Sequence, residues 1–427
     1  MSYPESVSYL YTLGNELRPG AKFSLDTMAT LLAALGNPER RRRFIHVAGT
    51  NGKGSTSAMI ANALTHAGLK TGLYTSPHLS EPTERIQIDG QPVTDAEFVS
   101  AFDQVHKCAE MLVADGQIPS HPSYFETVTA MALSIFRESD CDISVIEVGL
   151  GGRLDATNVI DPELTVITPV SFDHEAYLGN TLEAIAGEKT GILTPGVPLV
   201  LGPQAPVAEQ VILDRARRVR CPLIVVESAK VSTVVCDAEG CEFTYDGTRY
   251  RCALAGRHQI DNALAAILAC QELAIPVAAI QAGLETISWP GRLERVRRNP
   301  DLVLDGAHNP AGAAALAEYI REFYQDRRPV WLIYGAMRDK AIDEVTGLLF
   351  PLAEKLIVTA ANLSRALRPE AILEVTGHPN AAVTASVRQA IELASEAPPE
   401  AAVFITGSLF VVGEARAVLY EKDAGIS

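Results

Sequence analysis

The 427-residue sequence has no run approaching the roughly 18 uncharged apolar residues that a membrane-spanning helix needs, so no membrane association is expected. Its opening residues, MSYPESVSYLYTLG, lack the basic segment followed by an apolar one that marks an export signal. None of the seven cysteines, at positions 108, 141, 221, 236, 241, 252 and 270, forms a C-x-x-C pair, and their number is odd. Neither a zinc ribbon nor a disulfide framework is suggested, and reduced thiols in a cytoplasm are the expectation. Basic residues are scarce against acidic ones, 36 to 52, and the net charge of −16 argues against broad binding to nucleic acid or anionic membrane. An anionic ligand must therefore be captured by local basic groups. The one dense basic run, Arg40 to Arg43, reads as a solvated loop before a strand. Low-complexity segments and short-period repeats are also missing.

What remains is an ordinary globular composition, 47% hydrophobic and 21% charged, in a chain long enough for two or three domains with large cores. Short apolar runs (FIHVAG, DISVIEVG, LTVITPV, VPLVLG, PLIVV) alternate with helical patterns, the first helix running from about Ser55 to Ala67. Buried runs separated by helices indicate a parallel sheet covered on both faces. Between about Val231 and Leu254 the texture changes to alternating residues with turn signals at DAEG and YDGT, a β-hairpin insertion. Helices are expected over Gln259 to Leu273 and Val277 to Ile287. After SWPGRLERVRRNP the alternation restarts with LVLDGAHN, PVWLIYG, KLIVTA and AAVFITGS, which places a domain boundary near residue 295. The expected fold is α/β: a mostly parallel P-loop-type ATPase domain over 1–295, carrying the hairpin insertion, and a smaller Rossmann-like domain over 296–427.

The stretch HVAGTNGKGSTS, residues 46 to 57, sits between an apolar run and a helical one, where a phosphate-binding loop would lie. It departs from G-x-x-x-x-G-K-[ST]: Val47 replaces the first glycine, and Gly54 separates Lys53 from Ser55. Even so, Gly49, Gly52 and Gly54 let backbone N–H groups approach an anion, Lys53 supplies a charge, and the helix start adds its dipole. Ser55 and Thr56 could cap the helix or meet phosphate or Mg²⁺. A plain Gly-rich turn remains the alternative if the loop is read alone. Glu147, at the end of the run VIEVG, stands where open parallel sheets bind ligands and could serve Mg²⁺, or could be a charged strand end. Asp173 and His174 end the run VITPVSFDH, and Lys189 lies in EKTGIL; read singly, each is as compatible with a structural or solvated role.

Nine ordered motifs, HVAGTNGKGS, TSPHL, EVGLGGRLDATN, DHEAYLG, EKTGI, GRHQIDNALAA, PGR, LDGAHNP and GSLFVVGEAR, span residues 46 to 416. Together they resemble folylpolyglutamate synthase and dihydrofolate synthase of the Mur ligase superfamily, whose own phosphate loop has this shortened form. The resemblance implies an ATP-dependent ligase that phosphorylates a substrate carboxylate and lets the amine of L-glutamate attack the acyl phosphate, with folate, 7,8-dihydropteroate or both as acceptor. It implies nucleotide contacts from Gly49, Thr50, Asn51, Gly52, Lys53, Gly54, Ser55, Asn262, Arg292 and Asp305. Ser76 and Glu147 would ligand one Mg²⁺ and His174 a second, joined by Lys189 if carbamylated; a monovalent cation is also implied. Lys53, Lys189 and His308 would be catalytic. Ser123, Tyr124, Phe125 and Glu126, with Leu154, Asp155 and Ala156, would receive the pterin, and Ala21 to Asp26 less directly. The N-terminal stretch does not follow the pattern of bifunctional members. Nucleotide contacts on both domains would require closure around the acyl phosphate, within a cytoplasmic monomer that needs no nucleic acid or membrane. The alternatives are a folylpolyglutamate synthase without dihydropteroate activity, another Mur-type ligase, and a non-catalytic nucleotide-binding protein.

Overall fold

The computed structural model describes residues 1–14, 24–325, 327–338 and 341–423, arranged as two compact units. Of the segment Ala21 to Asp26, residues 21–23 lie outside the described residues. The first unit comprises Met1–Ser171, Glu175–Ser228 and Asp261–Thr286. Its sheet contains β1 (Phe44–Ala48), β2 (Thr71–Tyr74), β3 (Ile86–Ile88), β4 (Gln91–Pro92), β5 (Ile143–Glu147), β6 (Leu164–Ile167), β7 (Leu199–Leu201) and β8 (Leu223–Val225). The strand order is β4-β3-β2-β5-β1-β6-β7-β8, parallel from β2 to β8, with β3 and β4 antiparallel at the edge. Every residue of β1, β2, β5 and β6 is buried, as an apolar parallel strand covered on both faces must be.

The helices that cover this sheet are built from matching apolar faces. On one side Phe98, Phe102 and Val105 of the Asp95–Ala114 helix meet Val128, Met131 and Phe136 of the Tyr124–Glu138 helix. On the β6–β7 side, Ile185, Ala208 and Ile212 pack with Ile167, Leu199 and Leu201. Burying each large side chain of this kind contributes about 1.5–3 kcal/mol, so the sheet position of the loops at its strand ends is strongly determined. Strand β2 is absent from the sequence reading because it is only four residues long and contains Gly72, where a Cβ would come within 2.6 Å of Ser144 Oγ and 2.8 Å of Phe136. A strand interior glycine here marks close packing, a signal that looks like a turn in sequence.

The second unit comprises Phe172–His174, Ala229–Ile260 and Ile287–Ser427. It contains a three-stranded antiparallel sheet, β9 (Val231–Asp237), β10 (Gly240–Tyr245) and β11 (Thr248–Cys252). A six-stranded sheet follows, with β12 (Glu294–Arg297), β13 (Asp301–Leu304), β14 (Val330–Tyr334), β15 (Lys355–Val358), β16 (Ala381–Val383) and β17 (Ala402–Thr406). Its order is β12-β13-β17-β14-β15-β16, parallel except for β12.

Three differences from the sequence reading have local causes. The expected single boundary near residue 295 gives way to a discontinuous division, because the Val231–Cys252 strands pack with C-terminal residues. Tyr319 Oη donates to Ala238 O at 2.8 Å, and Arg295 and Arg298 both pair with Glu239. The expected hairpin gains a third strand at the YDGT turn, where Asp246 and Gly247 both take positive φ, 48° and 75°. The expectation of uniformly reduced thiols is corrected: Cys236 and Cys241 form a disulfide. The turn at Asp237–Gly240 folds β9 back so that the two face each other across the ladder, an adjacency that C-x-x-C counting does not read. The other five cysteines are free.

A tight helix approach in the first unit lies at Gly283, in the Val277–Glu285 helix, where a Cβ would come 2.6 Å from Ala63 Cα. Ala63 is on the Lys53–His66 helix. Gly283→Ala is therefore expected to destabilise the first unit by roughly 1–3 kcal/mol through overpacking, read as a lower urea midpoint. An unchanged midpoint would show that the two helices can separate without cost.

Candidate active site

Strand β1 ends at Ala48 and the Lys53–His66 helix begins after four intervening residues, so Gly49 to Gly52 make the whole strand-to-helix turn. Gly49 has φ 147° and Gly52 φ 86°. A Cβ on Gly49 would lie 1.8 Å from Thr168 Oγ1, and one on Gly52 2.2 Å from Asn262 Oδ1. At both ends the turn is thus glycine backbone pressed against a polar side chain. Thr50 N–H and Asn51 N–H donate to Pro169 O at 2.9 and 3.2 Å, which ties the turn to the end of β6. These two amides are engaged within the fold, and the donors left over at this turn are those of the helix start. Helical hydrogen bonding begins with Thr56 N–H donating to Gly52 O at 2.9 Å, so the amides of Lys53, Gly54 and Ser55 lie at the positive end of the dipole.

Two lysines converge on this turn. Lys53 Nζ donates to Thr50 O at 3.2 Å, and the buried Lys189 Nζ, from the end of the Leu182–Lys189 helix, donates to Gly49 O at 2.6 Å. A net-negative chain has placed two cationic groups on one turn, which is how local charge overrides the global field. Glu147 ends β5 beside Val47 of β1, and its Oε2 accepts from Ser76 N–H at 3.1 Å. Ser76 and Glu147 offer hard oxygen donors of the kind Mg²⁺ takes. An unmodified Lys189 is a donor with no oxygen to offer, so the donor set fits a second ion only if that lysine carries a carboxylate.

The sequence-predicted pterin residues also come together. Ser123 caps the Tyr124–Glu138 helix, and Ser123 N–H and Oγ–H both donate to Glu126 Oε2 at 2.8 Å, a capping box. Glu126 was expected to meet a ligand's amino edge, but this oxygen is engaged in holding the helix start. Phe125 packs so closely over Gly149 that a Cβ there would sit 2.4 Å from the ring. Tyr124 is buried, with the Arg85 guanidinium 5.1 Å above its ring and Tyr11 stacked at 5.7 Å. Asp155 accepts from Leu150 N–H at 2.7 Å and from Thr157 N–H at 3.0 Å and Oγ1–H at 2.5 Å. Burial pushes the Asp155 carboxyl above its ordinary range, against these hydrogen bonds. Because Thr157 spends its proton on Asp155, its oxygen accepts from His46 Nε2–H at 2.9 Å. Leu154 and Ala156 flank this aspartate on the same turn.

In the second unit Asp305 follows β13. Its two oxygens accept from Leu293 N–H and Ala307 N–H, each at 3.0 Å. Burial raises its carboxyl, with Arg292 opposing that shift. Arg292 Nη1 donates to Gly291 O at 3.0 Å and lies so near Gly306 that a Cβ there would be 2.7 Å away. His308 places Nδ1 2.7 Å from Gly306 O and Nε2 3.3 Å from Asp173 Oδ2. Asn309 donates to that same oxygen at 3.1 Å while capping the Pro310–Phe323 helix. His174 has φ 52°, and its amide donates to Asp173 Oδ1 at 2.8 Å. Asp173 thus gathers His174, His308 and Asn309. Sequence reasoning did not single out Asn309, Thr168, Pro169 or His46; their only signal was lying within motifs and runs already marked.

The second half of the chain, residues 291–409, matches the model of the Mur ligase glutamate ligase domain, and residues 47–270 match that of the Mur ligase middle domain. The chain is 35% identical to the dihydrofolate synthase/folylpolyglutamate synthase of Bacillus subtilis, over 97% of this chain and 98% of that one. The structure of the Mycobacterium tuberculosis folylpolyglutamate synthase complexed with ADP superposes with a TM-score of 0.89 at 33% identity, covering 98% and 99%. E. coli FolC in complex with DHPP and ADP gives 0.86 at 28% identity, covering 98% of each chain. Among the described residues no helix is long and apolar enough to cross a membrane.

Burial of His46 lowers its pKa from 6.5 to about 3. Between those values the unfolded chain binds more protons than the folded one, so stability is full above about pH 6.5 and is lost as pH falls through this window. His46→Gln, which keeps a donor toward Thr157, is expected to lose less stability between pH 7 and pH 5 than the parent, measured by urea unfolding. An unchanged pH dependence would remove His46 as a contributor.

Proposed function

This chain belongs to the folylpolyglutamate synthase and dihydrofolate synthase family of the Mur ligases, ATP-dependent ligases, and from that premise we propose that it joins L-glutamate to folate and to 7,8-dihydropteroate. The observation that carries the reading is the glycine-ended turn Gly49–Gly52 with Lys53 and Lys189 both bonded to its carbonyls. A carboxylate is a poor electrophile until it has a leaving group, so ATP is spent on making an acyl phosphate. Moving a phosphoryl group between two anions is mainly a matter of positioning and charge neutralisation. In this reading the amides of Gly52 to Ser55 receive the β and γ phosphates, and Lys53 leaves Thr50 O to neutralise them. Thr50 and Asn51 act indirectly, fixing the turn to Pro169. Asn262, already against Gly52, is positioned for the nucleotide, and Arg292 and Asp305 are its candidates in the second unit.

Ser76 and Glu147 would hold Mg²⁺, which when bound supplies charge neutralisation at the phosphates. His174 and a carbamylated Lys189 are assigned to a second ion. Carbamylation would turn a cation into an anion while leaving one N–H on Nζ, enough to keep the bond to Gly49 O. A monovalent cation belongs to the same proposal, without a residue set. His308, held between Gly306 O and Asp173, is assigned to the glutamate or phosphate end. For the pterin, Tyr124 and Phe125 provide aromatic faces, and Ser123, Glu126, Leu154, Asp155 and Ala156 shape the surrounding turn. The protein is read as a cytoplasmic monomer acting on small molecules. The free cysteines support that location, and the Cys236–Cys241 disulfide does not.

The direct test is phosphate release from ATP with L-glutamate, comparing 7,8-dihydropteroate with tetrahydrofolate as acceptor. Activity with both is expected; activity with folates alone would withdraw the dihydropteroate half, and silence with both would withdraw the ligase. Lys53→Ala is expected to lower kcat at least about a hundredfold, the scale of a lost electrostatic donor, and near-normal turnover would refute its role. Lys189→Ala is expected to be inactive and partly restored by small carboxylates; a fully active variant would take Lys189 out of the mechanism.

A further inference from the structure

Away from the turn and strand ends described above, two imidazoles and a carboxylate of the first unit converge. His106 and Glu110 lie four residues apart on the Asp95–Ala114 helix, hence on one face, and His121 follows in the segment leading to the next helix. Among the described residues this is the group of three such side chains whose ligand atoms all fall within 4.8 Å of one another. His106 Nδ1 and His121 Nε2 are 3.3 Å apart. Two nitrogens on a tetrahedral ion with bonds of 2.0–2.1 Å would be separated by about 3.3 Å. Glu110 Oε1 is 4.0 Å from His121 Nε2, and its side chain is 58% exposed, so a modest swing completes a third position.

The surroundings are those of a built ligand set. His121 Nδ1 faces Pro122 O at 3.0 Å. A carbonyl can only accept, so Nδ1 carries the proton and Nε2 presents its lone pair toward His106 and Glu110. Tyr9 Oη donates to Glu110 Oε1 at 3.4 Å, the hydrogen bond that would orient the carboxylate. The His106 ring is held between Phe102, stacked at 5.4 Å, and Tyr9, edge-on at 4.5 Å. Aromatic packing alone accounts for two half-buried imidazoles. It does not account for the convergence of a nitrogen lone pair, a second imidazole nitrogen and a phenol-oriented carboxylate on one point.

We propose that His106 Nδ1, His121 Nε2 and a Glu110 carboxylate oxygen bind a borderline divalent transition-metal ion, with Zn²⁺ as the probe, leaving a fourth position to water. Two imidazoles select such an ion over Mg²⁺ or Ca²⁺, which prefer oxygen. In the metal-free chain the 3.3 Å pair shares the proton of His106 Nδ1, and binding shifts that proton to His106 Nε2, so the ring stays neutral and changes tautomer. The ion would tie the Asp95–Ala114 helix to the segment that enters Ser123, the cap of the helix bearing Tyr124 and Phe125. Its effect is therefore read first as stabilisation of this part of the unit, independent of any activity.

The test titrates the full chain with Co²⁺, free of nucleotide and with Mg²⁺ in excess to fill oxygen-rich sites, and then displaces Co²⁺ with Zn²⁺. One ion per chain is expected, with visible bands of nitrogen and oxygen ligation, no thiolate charge transfer, and a higher thermal midpoint in Zn²⁺. His106→Gln, His121→Gln and Glu110→Gln should each weaken binding by about tenfold or more, and Tyr9→Phe, which removes only the orienting phenol, by about tenfold. Metal-free melting of the Glu110→Gln and Tyr9→Phe variants, close to that of the parent, separates lost ligation from lost folding. Absence of binding, thiolate bands, or binding that survives in the His106→Gln/His121→Gln double variant would overturn the proposal.

Discussion

Thr168 Oγ1 and Asn262 Oδ1 stand 1.8 and 2.2 Å from where Cβ atoms would be at Gly49 and Gly52. That steric exclusion admits only glycine at both ends of the turn after β1, and its neighbours in the first unit hold the turn in place. Pro169 O takes two of its amides, Lys189 and Lys53 take two of its carbonyls, and the helix that follows is pressed against Gly283 with no room for a methyl group. An anion site needs amides whose direction does not change when charge arrives. Here that rigidity comes from contacts on every side of a four-residue turn.

Electrostatics follows the same division between global and local. The chain carries a net charge of −16, yet its loop is approached by two lysines, one of them buried. Around them the buried acids are held by donors: Glu147 by Ser76 N–H, Asp155 by Leu150 and Thr157, Asp305 by Leu293 and Ala307. A buried carboxylate without such donors would be costly. Each of these three therefore fixes the loop that follows a strand end, and the ligand-facing surface inherits that order.

Much of this was legible from the residues because the signals were local. Apolar runs ending in Ala48, Glu147 and Leu304 gave strands that end at the candidate site turns, and the order of nine motifs identified the family. Two of the missed features depend on a partner that only the fold brings alongside. Gly72 reads as a turn until Phe136 and Ser144 are placed beside it, and Cys236 reads as a free thiol until β10 folds back. Glu126, read as a pterin contact, has one oxygen in a capping box with Ser123, a four-residue pattern present in the sequence all along.

By itself the sequence determined the α/β alternation, the glycine-lysine turn, and the cluster of acids and histidines at strand ends, because periodicity and spacing are properties of neighbours along the chain. Only the tertiary structure decided which atoms meet. It set Lys189 on Gly49 O across 140 residues, Asp173 on Asn309 across 136, and His121 against His106 at the spacing of a metal's ligands. It also joined the Val231–Cys252 strands to the second unit. The physical reason is that side-chain chemistry acts over a few ångströms, and distances of that size between remote residues exist only once the sheets have been built and covered.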